Sequence, residues 1–237
     1  MNSKKESIFE NKRYQEIREE LNREEVFVGK NALTKAEIIQ KLMPLQNKSL
    51  CAECGGSCCK HNGCSYLPMD FQDLSFNGLK TKLEKGYISI ISQPVFYEKH
   101  VKILLYVRTR NEGRPIVDFL STKRACRLWT PNGCPFSIED RPSLGIMCIP
   151  GYENGNLSCH PIVTDSILET LWYKHQKTLK ALVSHFTGKT VQKVMQEQAD
   201  ALIRQIYTKQ MSVGMISAEE RELVFLMENL RNYGFIV

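Results

Sequence analysis

No stretch of this 237-residue chain is apolar for long enough to span a bilayer. Residues 1–25 mix Lys, Arg, Glu and Asn and lack the apolar centre of a secretory signal. The expected location is therefore a reducing cytoplasm, without a membrane partner. Internal repeats and low-complexity tracts are absent, as are a glycine-rich dinucleotide fingerprint and a recognisable methyl-donor loop. Gly188-Lys189-Thr190 has the ending of a phosphate loop, but the first glycine of that motif would fall at Val183, which excludes it. Asp70, Asp73 and Asp118 stand alone in sequence, so no general acid–base pair can be named. A basic stripe is missing too. The net charge is +6, yet residues 1–50 hold 10 basic and 8 acidic side chains, residues 51–164 hold 13 and 10, and residues 165–237 hold 9 and 8. Folding could gather Lys80, Lys82, Lys85, Lys123, Arg124 and Arg127 on one face, but an excess spread this thinly reads as a solvated surface of mixed charge and argues against nucleic acid.

What the chain does have is cysteine. Cys51, Cys54, Cys58, Cys59 and Cys64 fall within fourteen residues, and Cys126, Cys134, Cys148 and Cys159 follow. Nine is an odd number, so complete disulfide pairing would leave one thiol over. A chain of this length can bury a core without bridges. Clustered thiols in a reducing compartment point instead to metal or redox chemistry. Cys51-x2-Cys54-x3-Cys58-Cys59 is a specific spacing, because short turns let several sulfurs converge on one centre, as in ferredoxin-like runs and zinc knuckles. Gly55 and Gly56 permit the backbone conformations that aim thiolates and amides at one point. Adjacent Cys58 and Cys59 would serve different corners of a cluster, or different metals. His61, inside the loop, is an alternate ligand candidate.

The second group reads Cys126-Arg127-Leu128-Trp129, then Cys134-Pro135-Phe136-Ser137-Ile138-Glu139-Asp140-Arg141-Pro142, then Met147-Cys148. With the first group it resembles the YkgJ-type cysteine-cluster family, a zinc- or iron-chelating domain. Cys51, Cys54, Cys58 and Cys59 match that family's first run, Cys126 its middle site, Cys134 with Arg141-Pro142 its Arg-Pro segment, and Cys148 its final cysteine. The match covers roughly residues 50–150. Phe136–Glu139 replaces the family's Ile-Tyr, Ile149-Pro150 follows the last cysteine, and Cys64 and Cys159 lie outside the pattern, Cys159 reading either as a completing ligand with His160 or as a structural or unbound thiol. The resemblance implies a metal centre held by Cys51, Cys54, Cys58, Cys59, Cys126, Cys134 and Cys148, and it implies no single reaction. The related flagellin lysine methylases carry a similar signature with an iron–sulfur centre, which makes a protein-modifying enzyme one alternative. A zinc-containing nucleic-acid-binding module is another. Seven thiols exceed one tetrahedral zinc site, which favours an iron–sulfur cluster over zinc, with two zinc ions as the other arrangement.

The patterning predicts an α+β fold. A small cysteine-rich metal-binding core with a β-hairpin (residues 49–164) is flanked by an N-terminal helical segment (1–48) and a C-terminal helical region (165–237). Residues 3–25 read as a solvated helix. Thr34 and Glu37 form a capping box that starts a second helix, ending near Pro44. Phe71, Leu74, Leu79 and Leu83 have helical spacing, with Asp70 as N-cap. Strands are expected at 87–92, 102–110 and 115–120, the last two joined into a hairpin by Asn111-Glu112-Gly113-Arg114 and delivering Cys126 to the site. Two apolar stripes follow, one from Leu168 to Phe186 and one from Val191 to Ile206. A second capping box, Ser217 and Glu220, precedes the last helix. These helices would bundle around the metal domain, or expose a face to a protein partner. His175 and His185 read as packing histidines, Trp129 as a shield for the centre, and Arg141 as a structural arginine near its charge.

Overall fold

The computed structural model describes residues 7–56, 63–120, 126–130, 136–153, 156–213 and 215–237. Helices α1 (Lys12–Leu21), α2 (Lys35–Leu42), α3 (Lys48–Cys54) and α4 (Phe76–Glu84) precede strands β1 (Ile88–Phe96) and β2 (Val101–Thr109). A short α5 (Ser143–Ile146) leads into β3 (Cys148–Glu153) and β4 (Asn156–Pro161). Helices α6 (Asp165–Tyr173), α7 (Gln176–Thr187), α8 (Val191–Val213) and α9 (Ala218–Asn232) close the chain. The mixed α+β class is as expected. Among the described residues the sheets are two antiparallel pairs, β1–β2 and β3–β4. Buried side chains from Tyr14 through Ile236 form one apolar cluster, so the terminal helices share a core with the hairpins.

The helices follow their local signals with two corrections. The expected helix over 3–25 is broken: a 3-10 turn at Ile8–Glu10 stops at Asn11, whose side chain caps α1 by accepting the Tyr14 N–H, and a second 3-10 turn covers Glu24–Val26. Tyr14, Ile17 and Leu21 are the buried stripe of α1. Asn22 then donates to the carbonyls of Arg18 and Ile162 and accepts from the Thr164 N–H, tying the end of α1 to the entry of the C-terminal helices. The second correction concerns Asp70. It is the last residue of a 3-10 turn (Pro68–Asp70), and Ser75 is the residue that caps α4. Both predicted capping boxes form, Thr34 with Glu37 and Ser217 with Glu220.

In the second box, the Glu220 carboxylate accepts from the Lys209 ammonium at 2.7 Å and from the Ser217 N–H at 2.6 Å. Those bonds, Lys209 first, pull its pKa down from 4.5 to about 2. A lowered folded pKa means that its contribution is complete above the ordinary carboxylate range and is lost as pH falls through about 2. NMR titration of the Glu220 carboxyl carbon is expected to show a midpoint well below that of a model peptide.

The first hairpin is shifted from its expected place. β1 pairs with β2, with Phe96 opposite Val101, around a turn at 97–100. That turn carries no Gly, Asn or Asp. It is closed by the Tyr97 N–H donating to His100 O at 2.9 Å and by stacking of the two rings, 4.7 Å apart and 13° from parallel. The 115–120 segment does not pair with β2. Val117 forms a parallel bridge to Ile90, so this segment lies on the outer edge of β1. There Asp118, 1% exposed, accepts a two-pronged ion pair from Arg114.

Two glutamine amides act as strand surrogates. The Gln176 side chain accepts from Leu105 N at 2.9 Å and donates to Leu105 O at 2.7 Å, on the outer edge of β2. Gln198 accepts from Phe119 N and donates to Val117 O, on the far side of the same layer. Each satisfies a backbone pair that a neighbouring strand would otherwise bind.

Candidate metal centre

Each cysteine group sits at the end of an element that the local sequence specifies. Asn47 caps α3 by accepting the Leu50 N–H, and Gly55, at φ +62°, ends it one residue after Cys54. Cys51 lies on the same helix. The chain on the far side of the first cysteine run is anchored by Gly63 and Cys64. The Cys64 N–H donates to Thr109 Oγ1, and the Thr109 N–H donates to Cys64 O, both at 2.9 Å.

Two residues beyond Thr109, Asn111 forms an antiparallel bridge with Cys126, which is 6% exposed. Cys126 opens a tight turn in which its carbonyl accepts the Trp129 N–H. The Trp129 ring N–H reaches across to Gly55 O at 3.3 Å. The chain is thus tied toward the turn that carries Cys126 on both sides of residues 57–62: directly at Gly55 through Trp129, and at Cys64 through Thr109 and the nearby Asn111 bridge. The observed bonds make Trp129 a tether.

Gly63 makes the close approach on the second flank. Its φ is +67°, and a methyl group there would overlap the Thr109 hydroxyl, with Asn111 Oδ1 at 3.2 Å. Gly63→Ala is expected to cost about 1–3 kcal/mol from backbone strain and this overlap. A lowered denaturation midpoint, accompanied by reduced metal content, is the expected reading.

The third arm is the β3–β4 hairpin, which sequence reasoning missed. Cys148 pairs with Pro161, and Pro150 pairs with Cys159. Side chains alternate along a strand, so Cys148 and Cys159 are diagonal neighbours on one face of the ribbon. Tyr152 is on that face too, and its hydroxyl donates to Glu53 of α3 at 2.9 Å. The other face belongs to Gly151, where a Cβ would run into Ile8. The cysteine face of the hairpin therefore turns to the helix that carries Cys51 and Cys54. Cys159, outside the family pattern, is thereby brought to the same face as Cys148. Cys64 instead packs on α5, where its Sγ would lie 2.9 Å from a methyl at Gly145.

Positive charge gathers around Cys126. Arg108 is 9% exposed, and burial pushes its guanidinium pKa down against the opposing pull of Tyr106, Asp118 and Cys126. Arg110 is lowered by burial and then by Arg127. Arg110 donates to Leu83 O and Ile88 O, and Arg127 donates to Gly86 O, so both close the C-terminal end of α4. Of the basic residues considered together from the sequence, Arg127 is the one placed here, beside Arg110. Cys126, Arg127, Trp129, Glu112 and Gly113 line an open cleft of about 480 Å³. Guanidinium groups at this spot would offset the negative charge of a thiolate centre.

Arg141 is structural in its observed bonds. Its Nε donates to Phe136 O at 3.3 Å, and its own carbonyl accepts from Lys35. His175 and His185 pack edge-on against Trp172 and Phe76. Cys58, Cys59, His61 and Cys134, together with Lys123 and Arg124, lie outside the described residues, as does the side chain of Cys51. Among the described residues, no group of three or more His, Cys, Asp or Glu is placed to hold a metal ion. Nor is any described helix long and apolar enough to cross a membrane. No protein-family model, curated protein or solved structure matches the chain.

Proposed function

We propose that this protein is a metal-binding protein in which Cys51, Cys54, Cys58, Cys59, Cys126, Cys134 and Cys148 hold one centre, an iron–sulfur cluster in preference to zinc, in a reducing cytoplasm. The observation that carries this reading is that the chain is tied toward the Cys126 turn both before residue 57 and after residue 62. On one side Gly55 O accepts the ring N–H of Trp129, in the turn that presents Cys126; on the other, Cys64 exchanges two hydrogen bonds with Thr109, two residues before Asn111, which bridges to Cys126. Two further features support it. α3 meets the cysteine face of the β3–β4 hairpin through Glu53 and Tyr152, and Arg108, Arg110 and Arg127 supply the charge a thiolate cluster calls for. When bound, such a centre would supply a structural cross-link or an electron-transfer site.

Anaerobic purification followed by elemental analysis and visible absorption tests the reading. Iron with sulfide-to-iron charge-transfer bands is the expected result, and Cys126→Ala should lose most of the metal. A colourless, zinc-loaded protein would overturn the iron–sulfur preference alone. A folded protein free of both metals would overturn the whole proposal.

The cleft beside Cys126 supports a second reading, a cluster-dependent protein-modifying enzyme. A recess of about 480 Å³ bordering the centre is large enough for a small cosubstrate. Binding of a cosubstrate by the metal-loaded protein, weakened by Arg127→Glu, is the result this reading requires.

A further inference from the structure

The outer edge of β2 is accounted for residue by residue until it reaches a groove, and there the accounting stops. Odd-numbered residues of β2 turn their backbone groups outward: Thr109 to Cys64, Val107 to Tyr66, and Leu105 to the Gln176 amide. The alternation of an antiparallel strand puts the N–H and C=O of Ile103 and Val101 on that same edge. Neither residue has an outward backbone partner among the described residues. On the opposite edge of the ribbon, Pro94 faces outward at the level of Ile103 and has no N–H to offer. One edge of this hairpin is blunted, and the other is left open.

The open edge forms one wall of a cleft of about 910 Å³. Its floor is apolar, with Val95, Val191 and Phe235. The facing wall is α7 and the residues just before it, which contribute Lys174, Lys177 and Lys180, all exposed. Lys102, over the ring of Tyr97, adds a fourth ammonium, while the acidic lining residue is Glu169, which accepts from the Tyr97 hydroxyl. An unpaired strand edge facing a bank of lysines selects an extended, acidic chain with apolar side chains for the floor. A second copy of this protein docked edge to edge would bring two lysine banks together, so the charge disfavours that occupant.

We propose that the Val101–Ile103 edge is a β-augmentation site that receives an extended acidic segment of a partner protein. Main-chain bonds to Val101 and Ile103 would supply the register, and Lys174, Lys177 and Lys180 the selectivity.

The test uses the full chain and a fluorescein-labelled probe peptide of alternating glutamate and valine, followed by anisotropy and by amide shifts in NMR. Saturable binding is expected, with the shifts centred on Val101, Lys102 and Ile103. The same peptide N-methylated at alternate amides keeps its charge but cannot bond to the edge, and should bind about tenfold more weakly. Lys177→Glu with Lys180→Glu should weaken the parent peptide by a similar factor, about tenfold at low salt. Ile103→Pro removes an outward N–H that the hairpin does not use, and should also abolish binding. Absence of saturable binding overturns the proposal, as does equal affinity for the N-methylated peptide or indifference to the lysine reversals. A dimer in sedimentation that Ile103→Pro dissociates would assign the edge to a second copy and overturn it as well.

Discussion

Replacing Trp172 with alanine is expected to lower the free energy of unfolding by about 4 kcal/mol, the range for emptying a large aromatic site. The side chain is 0% exposed, and its Nε1–H donates to Tyr66 O at 2.9 Å. Its ring meets Phe71 edge-on at 6.0 Å, and Phe71 in turn lies 5.4 Å from the Tyr66 ring. Trp172 thus fastens α6 to the segment that leaves the first cysteine run and runs along β2, where the Tyr66 N–H donates to Val107 O. Trp172→Phe keeps most of the ring and loses the donor, and should cost about 1–2 kcal/mol for that bond plus a small cavity. Chemical denaturation that gives lower midpoints at unchanged slope would show that both changes act on the folded state. A loss near 1 kcal/mol for the alanine variant would contradict the packing seen around this ring.

Asp70→Ala is expected to cost about 3–5 kcal/mol, the penalty for stripping one partner from a buried ion pair. The Asp70 side chain is 2% exposed, and the Lys35 ammonium lies 3.1 Å from it. Its carboxylate also accepts from the N–H of Leu67, the N–H of Ser143 and the Ser143 hydroxyl, at 2.9, 3.0 and 2.7 Å. Lys35 reaches on to Arg141 O at 2.6 Å. The Arg141-Pro142-Ser143 segment that precedes Cys148 is therefore held by a carboxylate from the other side of the sequence and by the lysine paired to it. Lys35→Met should cost less, because three donors to Asp70 survive. The double variant should show a coupling of at least about 1 kcal/mol. Additive losses would mean that the two residues act separately.

The capping signals, which contain their own partners, carry through from sequence to fold, whereas features that depend on distant partners leave little local mark. Thr34-x-x-Glu37 and Ser217-x-x-Glu220 contain their own bonding partners, and both boxes form as the letters predict. Asp70 has the right chemistry for a cap, but the helical turn it caps begins at Ser143, 73 residues away. The first hairpin was misplaced because Tyr97–His100 turns without the residues that mark turns, closing through a ring stack instead. The second was missed because Pro150 and Gly151 interrupt its first strand, although Asn154-Gly155 between the two strands is a strong hairpin signal. Of the site, the two cysteine groups were legible as groups. The bonds that draw them together, from Trp129 to Gly55 and from Thr109 to Cys64, join residues 74 and 45 positions apart and leave no mark in either local pattern.

The pairing of Pro150 with Cys159 has a bearing on how the hairpin folds. A shift of β4 by a single residue along β3 would send Cys159 to the Ile8 side and leave Cys148 behind, facing α3. Strand alignment and the number of sulfurs on offer are thus one variable. A metal that drew on both thiols would count the register of the ribbon, and only the correctly zipped hairpin would be kept.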